Sequence, residues 1–356
     1  MSTQINFLEQ LISRIKPLDQ EAMDAARSRQ NTLTKPAGSM GRLEDFSVQV
    51  AGITGNPMPH IEHKVVTVMA GDHGVVAEGV SAFPSEVTPQ MVFNFLQKGA
   101  AINVLSNHVG ARVVIVDMGV AVPFEPHPDL IDKKIALGTN NIAQGPAMTQ
   151  EQAVKAILAG AAVVEAEAVK GLDILATGDM GIGNTTPSAA IACAFTGESP
   201  AKICGRGTGV DDAGLQRKVT AVQKALDVNR PNAADGLDVL IKVGGFEIAG
   251  LAGAILAAAA NGAPVVVDGF ISTAAAMIAA ALCPQVQEYM IAGHCSEEQG
   301  HGTMMKWLGL QPVLDLNFRL GEGTGAVLAM SLVEAGCKIL TGMATFGEAG
   351  VSEKAE

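Results

Sequence analysis

Six short runs along the chain are almost continuously apolar: Val65–Ala70, Val113–Met118, Leu172–Thr177, Val265–Asp268, Tyr289–Ala292 and Val313–Phe318. A strand with one wet face alternates apolar and polar residues, whereas a continuous run suits a strand covered on both faces. The segments between them are long enough for helices, as at Thr149–Val169, Asp211–Asp227 and Ile271–Leu282. Strands alternating with helices predict a parallel sheet with right-handed crossovers. Upstream the period changes. Residues 3–30 carry Phe7, Leu8, Leu11, Ile12 and Ile15 at helical spacing, interrupted at Pro17, and a further helix is predicted over Arg42–Ile53.

Composition explains how such a core is filled. Of 356 residues 48% are hydrophobic but only 4% aromatic, and 40 are glycine. Ala, Val, Gly and Met therefore make the interior, and one large or two ordinary domains are expected at about 150 residues each. The net charge of −12 argues against nucleic-acid binding, which needs clustered Lys and Arg. The longest apolar stretch, Ile248–Ala260, has thirteen residues, mostly Ala and Gly, against about 20 for a membrane span. The first residues, MSTQINFLEQ, lack the basic start and apolar core of a signal peptide. Five scattered cysteines without a C-x-x-C read as free thiols, so a cytoplasmic protein is expected.

Several strand-like runs end in glycine beside a polar group: Gly71-Asp72-His73-Gly74, Asp117-Met118-Gly119, Gly178-Asp179-Met180-Gly181, Asp268-Gly269, Gly293-His294 and Gly321-Glu322-Gly323. In an open α/β sheet such loops lie on one side and form the ligand crevice. Taken singly, each is also what an ordinary turn or helix cap would select; their shared character favours a site. Gly178 to Pro187 (GDMGIGNTTP) follows a strand and opens an Ala-rich segment. Its glycines admit backbone N–H groups to an anion, a helix N-terminus adds its dipole, and Asn184, Thr185 and Thr186 add donors. It is neither a P-loop nor G-x-G-x-x-G. In Arg319 to Ala326 (RLGEGTGA) a carboxylate sits among three glycines near apolar Leu320 and Met330. Partial desolvation there would make it a usable base; a solvated turn acid is the plain alternative. The Gly205–Asp212 loop reads as a surface loop, and His60, His63, His294 and His301 lack zinc-site spacing. Ala37–Gly41 imitates a nucleophile elbow but follows no strand.

These motifs, taken in order, resemble one family. KPAGSMGRLE (35–44), AGDHGVVAEGVSAFPSEVT (70–88), GDMGIGNTTPSAA (178–190), DGLDVLIKVGGFEIAGLAGAILAAA (235–259), VDGFIS (267–272) and RLGEGTGA (319–326) are similar to the nicotinate-nucleotide:5,6-dimethylbenzimidazole phosphoribosyltransferases of cobalamin biosynthesis. The resemblance spans nearly the whole chain. It implies a Rossmann-like three-layer α/β domain with a mostly parallel sheet over residues 33–326, and a small helical domain from 1–32 and 327–356. It also implies a homodimer that uses small molecules as partners, with no membrane, cofactor or metal. The implied reaction transfers phosphoribose from nicotinate mononucleotide to dimethylbenzimidazole, giving α-ribazole 5′-phosphate and nicotinate with inversion at C1′.

By the same resemblance Glu322 is the general base, and Asp179 is a second catalytic carboxylate, one methylene shorter than the family's usual Glu. Gly178, Gly181, Gly183, Asn184, Thr185, Lys218, Ser296, Gly321 and Gly323 would hold phosphate and ribose. Phe83, Met91, Met180 and Leu320 would pack the base. The chemistry suits these residues: the pyridinium leaving group is already activated and no pyrophosphate departs, so magnesium need not be invoked. Asp179 is expected as an exposed crevice acid. Two other readings remain open at this point, a Rossmann-type nucleotide-cofactor enzyme and a non-catalytic nucleotide- or base-binding protein.

Overall fold

The computed structural model describes residues 2–207 and 209–352; Thr208 of the Gly205–Asp212 loop and residues 353–356 of the C-terminal segment lie outside the described residues. Seven strands form one sheet: β1 (Lys64–Gly71), β2 (Ala111–Gly119), β3 (Leu130–Asp132), β4 (Ile174–Met180), β5 (Val265–Val267), β6 (Met290–Ser296) and β7 (Pro312–Phe318). Their order is β3-β2-β1-β4-β5-β6-β7, and every pairing is parallel. All eight residues of β1 are buried, as its continuous apolar run requires. β3 has no counterpart among the predicted runs. Its three residues, Leu-Ile-Asp, are too short and too exposed to carry a period.

Helices cover both faces. On one, Gln150–Lys170 and Phe246–Ala260 pack against each other. They approach so closely that a Cβ on Gly160 would sit 1.9 Å from the Gly250 carbonyl oxygen. Small residues thus replace aromatic bulk: backbone contact between helices does the filling. The Phe246–Ala260 helix contains the thirteen-residue apolar stretch, and it is a core helix, buried along nearly its full length.

The opposite face is covered by Arg42–Thr54, Ala101–Val109 and Thr324–Gly342. Among the described residues, Thr324–Gly342 alone has the length and composition to cross a membrane, and half of its apolar window is buried here. The chain's ends meet beside it. Leu33 bridges Thr345, Arg29 Nε donates to the Leu340 carbonyl at 2.8 Å, and Thr34 N–H donates to that of Ala344 at 3.0 Å. Lys35 and Glu44 of the KPAGSMGRLE stretch form a 2.8 Å ion pair, largely buried, which closes that loop onto its helix.

The order places the sheet's reversal between β1 and β4, where the chain leaves in opposite directions and a crevice opens at the carboxyl ends. From edge strand β7 the backbone then doubles back over the sheet to that crevice. A Cβ on Gly178 of β4 would lie 2.4 Å from the Glu322 carbonyl oxygen, and one on Gly323 would lie 2.9 Å from Val66 of β1.

Candidate active site

Not every strand-end loop joins the crevice. The Asp117 carboxylate accepts from Gly119 and Val120 N–H at 3.0 and 2.9 Å and pairs with Lys134 at 2.7 Å. It closes its own turn, as the plainer reading of that loop held.

Asp179, Asp268 and Glu322 do gather. β4 extends to Met180, beyond the predicted end at Thr177, because it stays in register with β1 through Met69↔Asp179 and Ala70↔Met180. Asp179 is therefore a strand residue and only 5% exposed, which corrects the expected exposed crevice acid. Its Oδ2 accepts from Asn184 Nδ2 at 2.9 Å, while Oδ1 is buried without a partner among the described residues. Burial first, then the carboxylates of Asp268 and Glu247, hold its acid form to a pH well above the usual carboxylate range, against the opposing Asn184 amide.

Glu322 is also 5% exposed, so the solvated-acid alternative fails. It takes a left-handed backbone (φ 60°) between Gly321 and Gly323, both with positive φ as well. For a non-glycine residue that conformation costs on the order of 1–3 kcal/mol and concentrates at functional sites. The side chain reaches the start of the Ala101–Val109 helix, where Oε2 accepts from Ile102 N–H at 3.2 Å. Burial raises its pKa; the Ile102 N–H lowers it and Asp268 raises it further.

Asp268, noted in the sequence only as a loop acid, fixes this arrangement. Fully buried just after β5, it accepts from the N–H groups of Gly323 (3.2 Å), Gly325 (2.8 Å) and Ala326 (2.9 Å). It thus satisfies the orphan donors at the N-terminus of Thr324–Gly342 and anchors the Glu322 loop. His294 Nε2 lies 3.6 Å from Asp268 Oδ1.

The pocket beside these carboxylates is lined by the β4 end and its loop (Asp179, Met180, Asn184, Thr185), by Gly207, by the β6 end (His294, Ser296, Glu298) and by Arg319, Leu320 and Gly321. Gly178 supports it from within β4, and Gly183 turns its loop with φ 87°. Lys218, 1% exposed, is not in the pocket wall but lies behind it on the Asp212–Asn229 helix. Its Nζ donates to Thr185 Oγ1 at 3.0 Å and to the Gly205 carbonyl at 3.2 Å, so the Gly205–Asp212 loop is part of this wall. Thr185 opens the Thr185–Thr196 helix. Backbone N–H donors, a helix N-terminus and a lysine lie close together there, a set whose chemistry suits an anion.

Of the four apolar residues, Met180 and Leu320 line the pocket, Leu320 as an exposed group at its mouth. Phe83 is half exposed on the preceding loop. Met91 is half-buried on the Val87–Leu96 helix, in the same apolar cluster as Met180. Neither Phe83 nor Met91 is in the pocket wall. Thr88, one turn before Met91, accepts through Oγ1 from Ile182 N–H at 3.1 Å and ties that helix to the phosphate loop.

Three further groups had no role assigned from the sequence. His73 Nε2 and Glu247 Oε1 make a buried 2.7 Å contact behind the Gly181 loop; burial lowers the His73 pKa, but Glu247 outweighs it and the net direction is upward. His301 is pushed down to about 3 by burial, with His294 adding to it. It is neutral: its Nδ1 accepts from Ser296 N–H at 2.9 Å, so Nε2 carries the proton toward Thr273 Oγ1 at 3.0 Å. Glu298 lies in the pocket wall at the lysine end. β6 ends at Ser296 and Glu298 lies in the bend that follows, so the strand's period of two does not reach it and gave no signal for it.

Residues 15–351 match the profile of a family described as phosphoribosyltransferase. The nicotinate-nucleotide–dimethylbenzimidazole phosphoribosyltransferase of Chloroflexus aurantiacus (strain J-10-fl) is 58% identical over 350 residues, covering 98% of this chain and 100% of that protein. The enzyme of the same name from Roseiflexus sp. (strain RS-1) is 59% identical over 352 residues, covering 99% and 100%. A crystal structure of the corresponding Thermus thermophilus enzyme superposes with a TM-score of 0.90 at 45% identity, over 95% of this chain and 100% of that one.

Proposed function

The chain belongs to the nicotinate-nucleotide–dimethylbenzimidazole phosphoribosyltransferase family, and from that premise we propose that it makes α-ribazole 5′-phosphate and nicotinate from nicotinate mononucleotide and 5,6-dimethylbenzimidazole. The observation that carries the reading is the desolvated Glu322 carboxylate, held beside Asp179 and Asp268 at the mouth of a phosphate-type loop.

The 5′-phosphate lies against the Gly178–Thr185 loop, Lys218 and Ser296, which fixes C1′ near the carboxylates. Glu322 Oε accepts the N–H proton of the benzimidazole. The lone pair of the other ring nitrogen attacks C1′ from the face opposite nicotinate. The C1′–pyridinium bond breaks, its electron pair leaves on nicotinate, and β becomes α. Positive charge on the ribose in the transition state is favoured by Asp268, and by Asp179 once it has lost its proton. Met180 and Leu320 cover the flat ring, while Phe83 and Met91 stand outside the pocket wall on the flanking segments.

Phe83, Phe93 and Val104 leave large apolar surface exposed on segments adjoining the site, which supports a homodimer with the site near its interface. The 33–326 body, the small helical unit from 1–32 and 327–356, and a cytoplasmic location complete the proposal. The test is direct: purified protein, nicotinate mononucleotide and dimethylbenzimidazole are incubated and the product's anomeric carbon is read by NMR. An α-linked ribazole phosphate is the expected outcome. No product, or a β-linked one, would reject the reading.

A further inference from the structure

Glu298 is an acid in the wrong place for a simple phosphate receptor. It is 9% exposed, it lines the pocket with Thr185, Gly207 and Ser296, and its Oε2 is buried without a hydrogen-bond partner among the described residues. The carboxylate presses on Gly205, where a Cβ would come within 2.2 Å of Oε2. The same Gly205 offers its carbonyl to Lys218 Nζ at 3.2 Å. One short loop therefore seats both the lysine that would meet the phosphate and a carboxylate that would oppose it.

An ionised carboxylate has only acceptors, and so has a phosphate dianion. Brought together they repel, and the buried Oε2 stays unsatisfied. A single proton removes both costs, because a neutral carboxyl donates a short O–H···O⁻ bond to the phosphate. We propose that Glu298 takes up a proton from solvent as the nucleotide binds and donates it as a hydrogen bond to a phosphate oxygen. The proposal rests on the reaction assigned above and names a further phosphate-binding residue for it.

The surroundings agree. The charged and titratable groups facing Glu298 are Lys218 from the Asp212–Asn229 helix, Arg319 after β7 and Cys204 before the glycine loop, with His294 and neutral His301 behind Ser296. Burial raises the Glu298 pKa; Lys218, the Gly207 backbone and Arg319 lower it, and the net direction is upward. A dianion entering the pocket moves it further up.

Calorimetric titration of nicotinate mononucleotide in buffers of different ionisation enthalpy counts the protons. Above pH 7 the phosphate is already dianionic, its second pKa being about 6. The wild-type protein is expected to take up about one proton per nucleotide, so that Kd rises about tenfold per pH unit where the free carboxyl is ionised. E298Q, whose amide donates without a proton, should bind with no uptake and a Kd that does not change with pH. E298A should lose both the uptake and affinity.

Uptake that persists in E298Q would put the proton on Lys218 and overturn the proposal. Binding without uptake in the wild type would also overturn it, leaving Glu298 ionised and accepting from a sugar hydroxyl. Failure of the reaction assignment looks different: neither protein would bind the nucleotide or turn it over.

Discussion

The Glu322 carboxylate and the Ile102 backbone N–H meet at 3.2 Å although 220 positions separate them. The donor lies in the first turn of the Ala101–Val109 helix, so a helix dipole stabilises the ionised form while burial disfavours it. Burial wins, and the pKa is raised. The raised pKa makes this carboxylate a stronger base than a solvated glutamate.

Replacing Glu322 by Gln keeps the shape and the Ile102 contact but removes the basicity. Steady-state assays at saturating substrates should show kcat lower by about 10²–10⁴-fold. In the wild type the acid limb of kcat/KM should have its midpoint above the ordinary glutamate value of about 4.3, because only the ionised group accepts a proton. Wild-type kcat in E322Q would remove Glu322 from the mechanism.

What the sequence revealed and what it hid divide along a physical line. β1 and β2 are legible because burial on both faces leaves nearly continuous apolar runs, and Glu322 is legible because three glycines surround it. Asp268 was visible only as a strand-end acid; that it caps the Thr324–Gly342 helix depends on the chain's return from β7, which no local pattern encodes. His73 and Glu247 are 174 positions apart and meet only once the sheet is assembled. The error over Asp179 has the same origin: strand pairing with β1 decided its burial, while the glycines around it suggested a loop.

Gly178 gives a steric test of the return loop. A methyl group there would lie 2.4 Å from the Glu322 carbonyl oxygen and 3.0 Å from Gly323 N, both backbone atoms that have no rotamer to yield. Gly178→Ala should cost about 1–3 kcal/mol of stability in urea unfolding. It should also lower kcat, since the loop that moves carries the base. A variant with unchanged midpoint and unchanged kcat would mean that Glu322 is held from elsewhere.

Lys218 is the buried cation at the phosphate end, and burial lowers its pKa while Glu298 and Cys204 raise it. Lys218→Ala removes a charge-assisted contact to phosphate. Calorimetry should show nicotinate mononucleotide bound about 10–100-fold more weakly, with dimethylbenzimidazole affinity unaltered. Equal loss for both ligands would indicate collapse of the pocket rather than loss of one contact.

Asp179, proposed above as a catalytic carboxylate, also makes stability depend on pH. Its folded-state pKa lies well above the ordinary value, through burial and the neighbouring Asp268, Glu247 and Glu322 carboxylates. The folded protein therefore holds this proton more tightly than the unfolded chain does. Linkage fixes the sign: the stabilisation is complete below the unfolded value of about 3.9 and is lost as pH rises through the raised folded value. Asp179→Asn replaces the acid by a neutral group of the same shape, and its carbonyl still accepts from Asn184. Thermal unfolding of the variant should show a Tm at pH 7 no lower than wild type, and a flatter decline of Tm from about pH 4 upward. Turnover should differ only where the wild-type side chain has lost that proton: above the raised value the variant's kcat should be lower by about 10²-fold, because the negative charge beside C1′ is gone, and below it the two should turn over alike. A variant that is less stable at neutral pH but fully active would make Asp179 a structural partner of Asn184, with no part in the chemistry.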